Sequence, residues 1–576
     1  MKRFNYILLT IAILGGVAAQ ATAQTQDTTF VRTVVVEQEY TPDIMDATKI
    51  NTLPKVEAPT SCKKQVVYDE VLSPAQHIPT SAMDAFVGNE TQTKALPGFA
   101  RLGYGSTGNL DAYANYLLTL SPKDKLSATL NAYGFNGDID FLKENNMTWD
   151  TYFYQGALNV DYLHNFRKMD FNTSVNIGLS KFKLFPNQNF PDKEKQQFLS
   201  WDVHVGIAST DKSLPLQFKA ETNFLSFTRE NDFLYQKGKE NIIHTRAEAF
   251  GNMSDSQAIG LVLSMDNTFY NNLNAVKSQN EQEETYGFKN HTNITATPYF
   301  AYKGSKLNIH AGIDVDLALN YGKTLQLAPD VKVSYNFANH YQLYAEATGG
   351  RIVNDFRRLG KINPYLQFCH PEAGSNQVLD TYETLNANLG IKASLIEGLW
   401  LHLYGEYQML QNDLLSAFVE DEQGEIAYYS YPIQQDTRNF RFGMDASYNY
   451  KDIFSIAASF SKYAWSTSAS TAETESNQAT ALSLAFKPSI MASAEIGIRP
   501  ISQLQIKVGY QHIDRKAIAD VTQSPISNLH IYASYELHKQ IAIYAQVHNL
   551  LNKSYQLDWG VYDQGFSLLG GVLFRF

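Results

Sequence analysis

Two histidines near the C-terminus, His530 and His548, have the residue type and spacing that could support chemistry. They lie in consecutive alternating segments, and pairing these segments as a hairpin sets the two imidazoles directly opposite each other. Two adjacent imidazoles could bind a metal ion or respond to pH. A third convergent ligand is not apparent, because His512 falls on the other face by parity. We therefore predict hydrated polar side chains here, with metal binding as the alternative.

Catalytic motifs are not found elsewhere in the sequence. It contains no G-x-S-x-G, no H-E-x-x-H, no P-loop and no G-x-G-x-x-G ahead of a helix. Two cysteines, Cys62 and Cys369, cannot form a disulfide framework or a zinc finger. The formal charge is −11, from 47 basic and 58 acidic side chains, which argues against a nucleic-acid partner. We predict a protein that is not an enzyme and needs no cofactor.

A long connection between residues 351 and 381 concentrates basic and reactive side chains. Its members are Arg351, Arg357, Arg358, Lys361, Cys369 and His370. Loops on rigid scaffolds often carry recognition, so this connection could contact a substrate. It could equally be a solvated loop that folds locally. The sequence leaves both interpretations open.

The elements that position these residues are strands. In 503–512, Leu504, Ile506 and Val508 alternate with polar residues, which is the period of a half-buried strand. A turn at 538–540 pairs Leu537 with Ile541, and the same register joins apolar residues along the whole hairpin. This pattern predicts an all-β protein.

The connections between strands alternate between short and long from residue 98 onward. Short turns include 167–168, 304–305 and 451–452, and long links include 137–152 and 552–565. This alternation is typical of a transmembrane antiparallel β-barrel, whose turns are short at one end. We predict a barrel over 98–576 with about 22 strands, and with 20 to 24 as the range. Trp201 and Trp465 are expected at its outer membrane interface.

The N-terminus predicts export. Lys2 and Arg3 precede an apolar stretch, and Ala21-Thr22-Ala23 forms a small-residue cleavage site, which together indicate a signal peptide over 1–23. After Ala23, no 18-residue run is free of charge, so a helical membrane span is not expected. An exported β-barrel belongs in the outer membrane, with lipid around it.

The last strand ends in Phe574, Arg575 and Phe576, with both phenylalanines on one face. A closing strand must pair with the first strand, because an open edge cannot exist in lipid. A terminal aromatic residue on such a strand resembles the signal by which outer-membrane barrels engage their assembly machinery. We predict that the barrel-assembly machinery is a partner of this protein during insertion.

The C-terminal residues also carry a family resemblance. The segment 549–555, the triplet Gln564-Gly565-Phe566 and the ending 571–576 resemble the last two strands of TonB-dependent receptors. The resemblance implies a 22-stranded barrel that takes up a nutrient with energy delivered from the inner membrane. It also implies a plug domain of well over a hundred residues inside the lumen.

The sequence departs from that family ahead of the barrel. The segment 24–97 has only 74 residues (97 − 23) and no sustained periodicity, so the plug is missing or strongly reduced. Within this segment Thr33, Val34, Val35 and Val36 resemble the Ton box, which adds a strand to the TonB protein. A short strand in the barrel mouth is the alternative. Uptake is the predicted function; the alternatives are a structural or assembly-associated barrel working with another envelope protein, or a passive channel.

Overall fold

The structure is a computed structural model. It describes residues 96–576 except 143–146, 185–194, 212, 231–236, 272–287, 339, 367–368, 371–373, 376, 421–426, 468–483, 516–522 and 559–560. The predicted signal peptide, the Ton-box-like residues Thr33, Val34, Val35 and Val36, and the rest of the N-terminal segment up to residue 95 lie outside the described residues.

In the described residues, twenty-two antiparallel strands form one closed sheet. They are β1 (Gly98–Gly105), β2 (Leu110–Ser121), β3 (Asp124–Leu142), β4 (Met147–Asn165), β5 (Met169–Lys183), β6 (Lys195–Ser209), β7 (Gln217–Arg229), β8 (Gly238–Ser254), β9 (Gln257–Asn271), β10 (His291–Lys303), β11 (Leu307–Leu319), β12 (Leu325–Phe337), β13 (Tyr341–Ile352), β14 (Thr381–Ile396), β15 (Leu399–Glu420), β16 (Ala427–Tyr450), β17 (Phe454–Thr467), β18 (Pro488–Ile501), β19 (Leu504–Arg515), β20 (Ile526–His538), β21 (Ile541–His548) and β22 (Ser567–Arg575). The predicted fold class and strand number are confirmed.

The last strand closes the barrel against the first. The register of β1 with β22 runs from Phe99 opposite Arg575 to Gly105 opposite Leu569. Phe574 is exposed on the outer face, whereas the guanidinium of Arg575 lies on the inner face, 2.8 Å from Glu536. The closing pair predicted from the C-terminal residues therefore forms, and it leaves no strand edge in the ring.

The predicted hairpin register is confirmed over most of its length. Tyr535 faces Ile543 and Ala533 faces Ala545, as the alternation required. The predicted pair of Leu537 with Ile541 is wrong, because the register shifts at the turn and places Ile541 opposite His538. The shift inserts one residue beside the turn, where apolar packing no longer fixes the register.

Side chains alternate between an apolar outer face and a largely polar lumen. On β5, Val175, Ile177 and Leu179 are exposed outward, whereas Phe182 is fully buried inside. An outward apolar face is what lipid requires of a barrel wall. In the part of the chain that the structure describes, no helix is long and apolar enough to cross a membrane.

The two ends of the barrel differ as predicted. Nine of the ten connections at the end that holds both termini have two or three residues, whereas the opposite end carries links of up to 28 residues. The predicted long link over 137–152 is wrong, because β3 and β4 continue to Leu142 and from Met147. A membrane-spanning strand needs only ~9–11 residues, so this hairpin extends past the lipid.

More of the described tryptophans face the barrel interior than the lipid. Trp201 faces outward as predicted, but Trp465 lies on the inner side, where its ring stacks on that of Tyr463. Trp149 is 3% exposed and lies within β4. Trp149 and Trp465 stand at the outer mouth, which contains the largest apolar cluster of the described chain.

Candidate functional site: the outer mouth of the barrel

The longest outer connection, 353–380, joins β13 to β14. Its described residues fold inward over the lumen, and we call them the cap loop. It contains a seven-residue helix, α1 (Phe356–Ile362). Asp355 begins the helix, because its carboxylate accepts a hydrogen bond from the backbone N–H of Arg358 at 2.7 Å. The carboxyl group of Glu240 on β8 accepts the N–H of Phe356 at 2.8 Å. Asp355 therefore caps the helix from within the loop, and Glu240 ties its start to the barrel wall.

Inward-facing aromatic rings of β4 to β7 form the seat of the cap loop. They are Trp149, Phe153, Phe182, Phe198 and Phe227. The ring of Tyr365 in the cap loop meets Phe182 edge to face at 5.4 Å, and Phe356 meets Phe227 at 6.4 Å. Aromatic pairs in these geometries contribute beyond their buried area. Burial raises the pKa of Tyr365 above its ordinary value, so this phenol stays protonated.

The root of the cap loop is a buried polar cluster. The Tyr382 hydroxyl donates to Asp316 on β11 at 2.5 Å, and Arg351 lies 3.9 Å from the same carboxylate. Arg351 also lies 3.5 Å from Asp380, which accepts the backbone N–H of Asn354 at 3.1 Å. Breaking a buried charge pair by removing one partner is strongly destabilising. These contacts hold both ends of the cap loop against the wall.

The hairpin of β15 and β16 rises beyond its neighbours and leans over the same mouth. We call the described residues of its outer part, 413–420 and 427–435, the ribbon. It begins at a register shift around Asn412, whose φ is 52°. Leu414 and Leu415 are both buried, so both faces of the ribbon are covered. Alternate residues of a strand point to opposite faces, so a ribbon buried on both faces lies within the mouth and not in solvent.

The cap loop and the ribbon pack on each other. Leu366 forms an isolated parallel bridge with Ser430, whose hydroxyl accepts from the Asn363 side chain at 3.2 Å. Gln434 accepts the backbone N–H of Leu379 at 2.7 Å. The cap loop rejoins the ring at β14 and contacts Phe182 on β5, nine strands away in a ring of 22. Together the two elements cross the mouth.

A second outer loop, 549–566, joins this assembly. Asp558 accepts a hydrogen bond from the Ser416 hydroxyl of the ribbon at 2.6 Å. Tyr555 packs with Ile513 and Ile526 on the adjoining wall. Burial raises the pKa of Tyr555, and the neighbouring carboxylate of Asp563 raises it further. Three outer elements thus converge on the lumen from different sides.

Comparisons with known proteins identify the architecture. No family model and no curated protein matches the sequence. Solved structures do match: the copper transporter OprC at 12% identity, covering 84% of this chain and 83% of that one, with a TM-score of 0.59. The FrpB iron transporter from Neisseria meningitidis matches at 10% identity, with coverages of 84% and 82% and a TM-score of 0.63. The ferric-catecholate import receptor Fiu from E. coli K12 matches at 8%, with coverages of 84% and 82% and a TM-score of 0.58. The chain has the barrel fold of TonB-dependent receptors. The fold implied by the C-terminal residues is therefore confirmed.

The predicted histidine pair occupies the wall of this receptor-type barrel. The register of β20 with β21 continues from Ile531 opposite Val547 towards His530 and His548. Nε2 of His548 lies 3.7 Å from Oδ1 of Asp563, in the second outer loop. Among the described residues, no group of three histidine, cysteine or acidic side chains is arranged to hold a metal ion. His548 is placed to anchor the loop.

The basic residues predicted in the long connection serve different purposes in the receptor-type barrel. Arg351 is buried at the root, and Arg357 lies 3.3 Å from Asp355 and 3.8 Å from Asp202. Residues 369–370 pair with 374–375 as a small backbone ladder. The interpretation as a solvated loop is wrong for the part that packs in the mouth, because Phe356, Leu359 and Leu366 are buried there.

Proposed function

We propose that the protein is an outer-membrane barrel that takes up a nutrient and that its own outer elements close it. The observation that carries this proposal is the crossing of the mouth by the cap loop and the ribbon. A passive pore would gain nothing from a buried ion cluster and an aromatic seat devoted to closing it. The similarity to a copper transporter and an iron transporter supports the same class of function. The nutrient is not specified by the residues.

Closure from outside complements the short N-terminal segment. A barrel of 22 strands is wide enough to need an internal plug, or it conducts water and ions. We propose that the cap loop carries part of the closure that a full plug supplies elsewhere. Opening then requires breaking the seat around Phe182 while the root at Asp316 remains in place. The loop would swing about its root and stay attached to the wall.

Single-channel conductance in planar bilayers tests this proposal. Four mature proteins are compared: the full chain, a chain lacking 24–97, a chain with 354–379 replaced by a short glycine-serine linker, and the double deletion. We expect the full chain to be closed and the double deletion to conduct most. A full chain that already conducts like the double deletion would make the protein a passive pore and overturn closure.

Energy coupling needs a separate experiment. We propose that Thr33, Val34, Val35 and Val36 contact TonB by adding a strand to it, since a β-branched run near a chain end suits that mode. Photo-crosslinking residues placed at 33 and 35 in cells identify the partner directly. Crosslinks to TonB support driven uptake. Crosslinks to another envelope protein instead would favour the structural or assembly-associated barrel.

A further inference from the structure

One acidic side chain lies inside the aromatic seat of the cap loop. Glu240 is the third residue of the 17-residue strand β8, so it stands outward of the about 9–11 residues that cross the lipid. Its side chain is only 2% exposed. The residues directly opposite on the neighbouring strands are Phe227 and Tyr270, whose rings belong to one apolar cluster. A carboxyl group in such surroundings is costly to ionise, because burial disfavours the charged form.

Glu240 is also the contact that joins the wall to the first residue of α1. Its Oε2 accepts the backbone N–H of Phe356 at 2.8 Å. The first N–H groups of a helix lack partners within the helix, so an acceptor from the wall stabilises α1 in its place. The ring of Phe356 is 1% exposed and lies 5.6 Å from that of Tyr270. The protonation state of Glu240 therefore acts directly on the start of α1.

The cap loop brings both signs of charge to Glu240. Asp355, which caps α1, places a negative charge beside it. Arg357 opposes that charge, but its guanidinium is shared with Asp355 at 3.3 Å and with Asp202 at 3.8 Å. Burial, followed by the charge of Asp355, raises the pKa of Glu240 well above its ordinary value. The hydrogen bonds that Glu240 accepts and the charge of Arg357 lower this pKa by less.

The barrel wall contributes the other titratable groups. The hydroxyl of Tyr270 on β9 hydrogen-bonds to Glu240. His291 on β10 lies beyond Tyr270, with 6.1 Å between the two ring centroids. On β7 the charged side chain is Arg229, whose guanidinium packs over the ring of Phe198 at 5.2 Å. The negative charge in contact with the start of α1 is therefore the one on Asp355.

We propose that Glu240 is a proton-operated latch on the cap loop, which holds α1 in the mouth while it is protonated and releases α1 when it ionises. In the closed mouth Glu240 is shielded from water and lies beside Asp355. Lifting α1 would hydrate Glu240 and take Asp355 away, so its pKa would return to about 4.3. The closed state then binds the proton more tightly than the open state. Closure is therefore fully stabilised below about pH 4.3 and loses this stabilisation as the pH rises towards the raised pKa.

This inference rests on the proposed closure of the mouth by the cap loop, and the wall offers a matched control. Glu383 is fully buried and is the third residue of the 16-residue strand β14. Its Oε1 accepts hydrogen bonds from Asn386 at 3.2 Å and from Gln408, which are both wall residues. Burial raises the pKa of Glu383 to about 8. Glu383 thus resembles Glu240 in chemistry and burial, but its hydrogen bonds do not go to α1.

Hydrogen exchange of the mature full chain in detergent micelles tests the latch. Amide exchange in α1 is measured between about pH 5 and pH 8, above the ordinary pKa of a glutamate, and is divided by the intrinsic rate at each pH. In the wild type we expect protection of α1 to fall by up to about tenfold per pH unit, since opening releases one proton. E240Q keeps the acceptor but cannot ionise, so its protection should not change with pH. E383Q should follow the wild type.

Asp355→Asn is a second test of the same latch. Asparagine caps a helix as well as aspartate does, so the start of α1 is kept while the neighbouring charge is removed. The pKa of Glu240 is then raised less, and the total loss of protection between about pH 5 and pH 8 should be smaller than in the wild type. Heat-modifiable migration in gels checks that each variant is a folded barrel.

Three results would overturn the latch: protection of α1 that ignores pH in the wild type, a wild-type pH profile in E240Q, or loss of that profile in E383Q. If E240Q leaves α1 unprotected at every pH, D355N decides, because a total loss equal to that of the wild type would overturn the proposal. Conductance separates this failure from a failure of closure. A full chain that conducts like the double deletion at every pH overturns closure itself, whereas a closed full chain with pH-independent protection overturns the latch alone.

Discussion

The hydroxyl of Tyr382 lies 2.5 Å from Oδ2 of Asp316, which ties the first residues of β14 to β11 across the two strands between them. Asp316 is fully buried and also meets Arg351. This contact places a buried acidic side chain beneath the cap loop, where the loop rejoins the wall.

Asp316→Asn should loosen the cap loop. Removing one partner of a buried charge pair costs about 3–5 kcal/mol, and the cost falls on the root that Asp316 holds. The expected result is faster tryptic cleavage after Arg357, Arg358 or Lys361 in an otherwise folded barrel. Asp330→Asn is the control, because Asp330 pairs with His310 at 2.7 Å on the wall. Equal cleavage rates in both variants would contradict the assigned role of the root.

A disulfide between cap loop and ribbon should lock the mouth. The parallel bridge of Leu366 with Ser430 places their backbones side by side, within the range that a disulfide can span. In a background lacking Cys62 and Cys369, L366C/S430C is expected to abolish uptake or conductance under oxidation, and reductant should restore it. The two single-cysteine variants serve as controls. Undiminished activity of the oxidised double variant would show that opening leaves this contact intact.

Alkaline pH should loosen the cap loop. Burial raises the pKa of Tyr365, and burial with the nearby Asp380 raises that of Tyr321, which hydrogen-bonds to the Gln377 carbonyl. A pKa raised in the folded state gives stability that is complete below the unfolded value of about 10 and is lost as pH rises towards the folded value. Tryptic cleavage of the loop should therefore accelerate as the pH rises above the unfolded value of about 10. Tyr365→Phe should show a smaller acceleration, and an unchanged pH profile would count against this cause.

Deleting Phe576 should slow barrel assembly. Its ring stacks on Tyr116 at 5.9 Å, and its backbone exchanges hydrogen bonds with Gly98 across the closing seam. The expected result is less heat-modifiable, folded protein in the outer membrane at equal expression. Phe566→Ala is the control, because this exposed residue precedes the paired part of β22. A deletion that assembles at the control rate would remove the assembly role from the terminal residue.

The sequence reveals the barrel wall well, because a strand has a period of two and a hairpin tests its own register. Tyr535 and Ile543 were correctly paired from parity alone. The long link predicted over 137–152 was wrong because hydrophobic alternation does not stop where the lipid stops, so a strand can continue above the membrane.

The cap loop was not predictable by the same means. Its seat depends on contacts between residues far apart in sequence, such as Tyr365 with Phe182, which no local period encodes. One signal was present in the strands. Four phenylalanines lie at strand positions whose side chains face the lumen, where a water-filled barrel would carry polar residues. They are Phe153, Phe182, Phe198 and Phe227. Aromatic residues at those positions indicate that something apolar packs inside.

The crossing of the mouth has a mechanical consequence. A ring of strands resists flattening poorly, because its shape can change while every hydrogen bond between neighbours is kept. A chain anchored at Asp380 on one side and seated on Phe182 on the other acts as a cross-brace over that ring. Flattening the barrel would change the distance between these two anchor points. The shape of the cross-section and the closure of the mouth are therefore linked. Lateral pressure in the membrane would then bear directly on whether the mouth is shut.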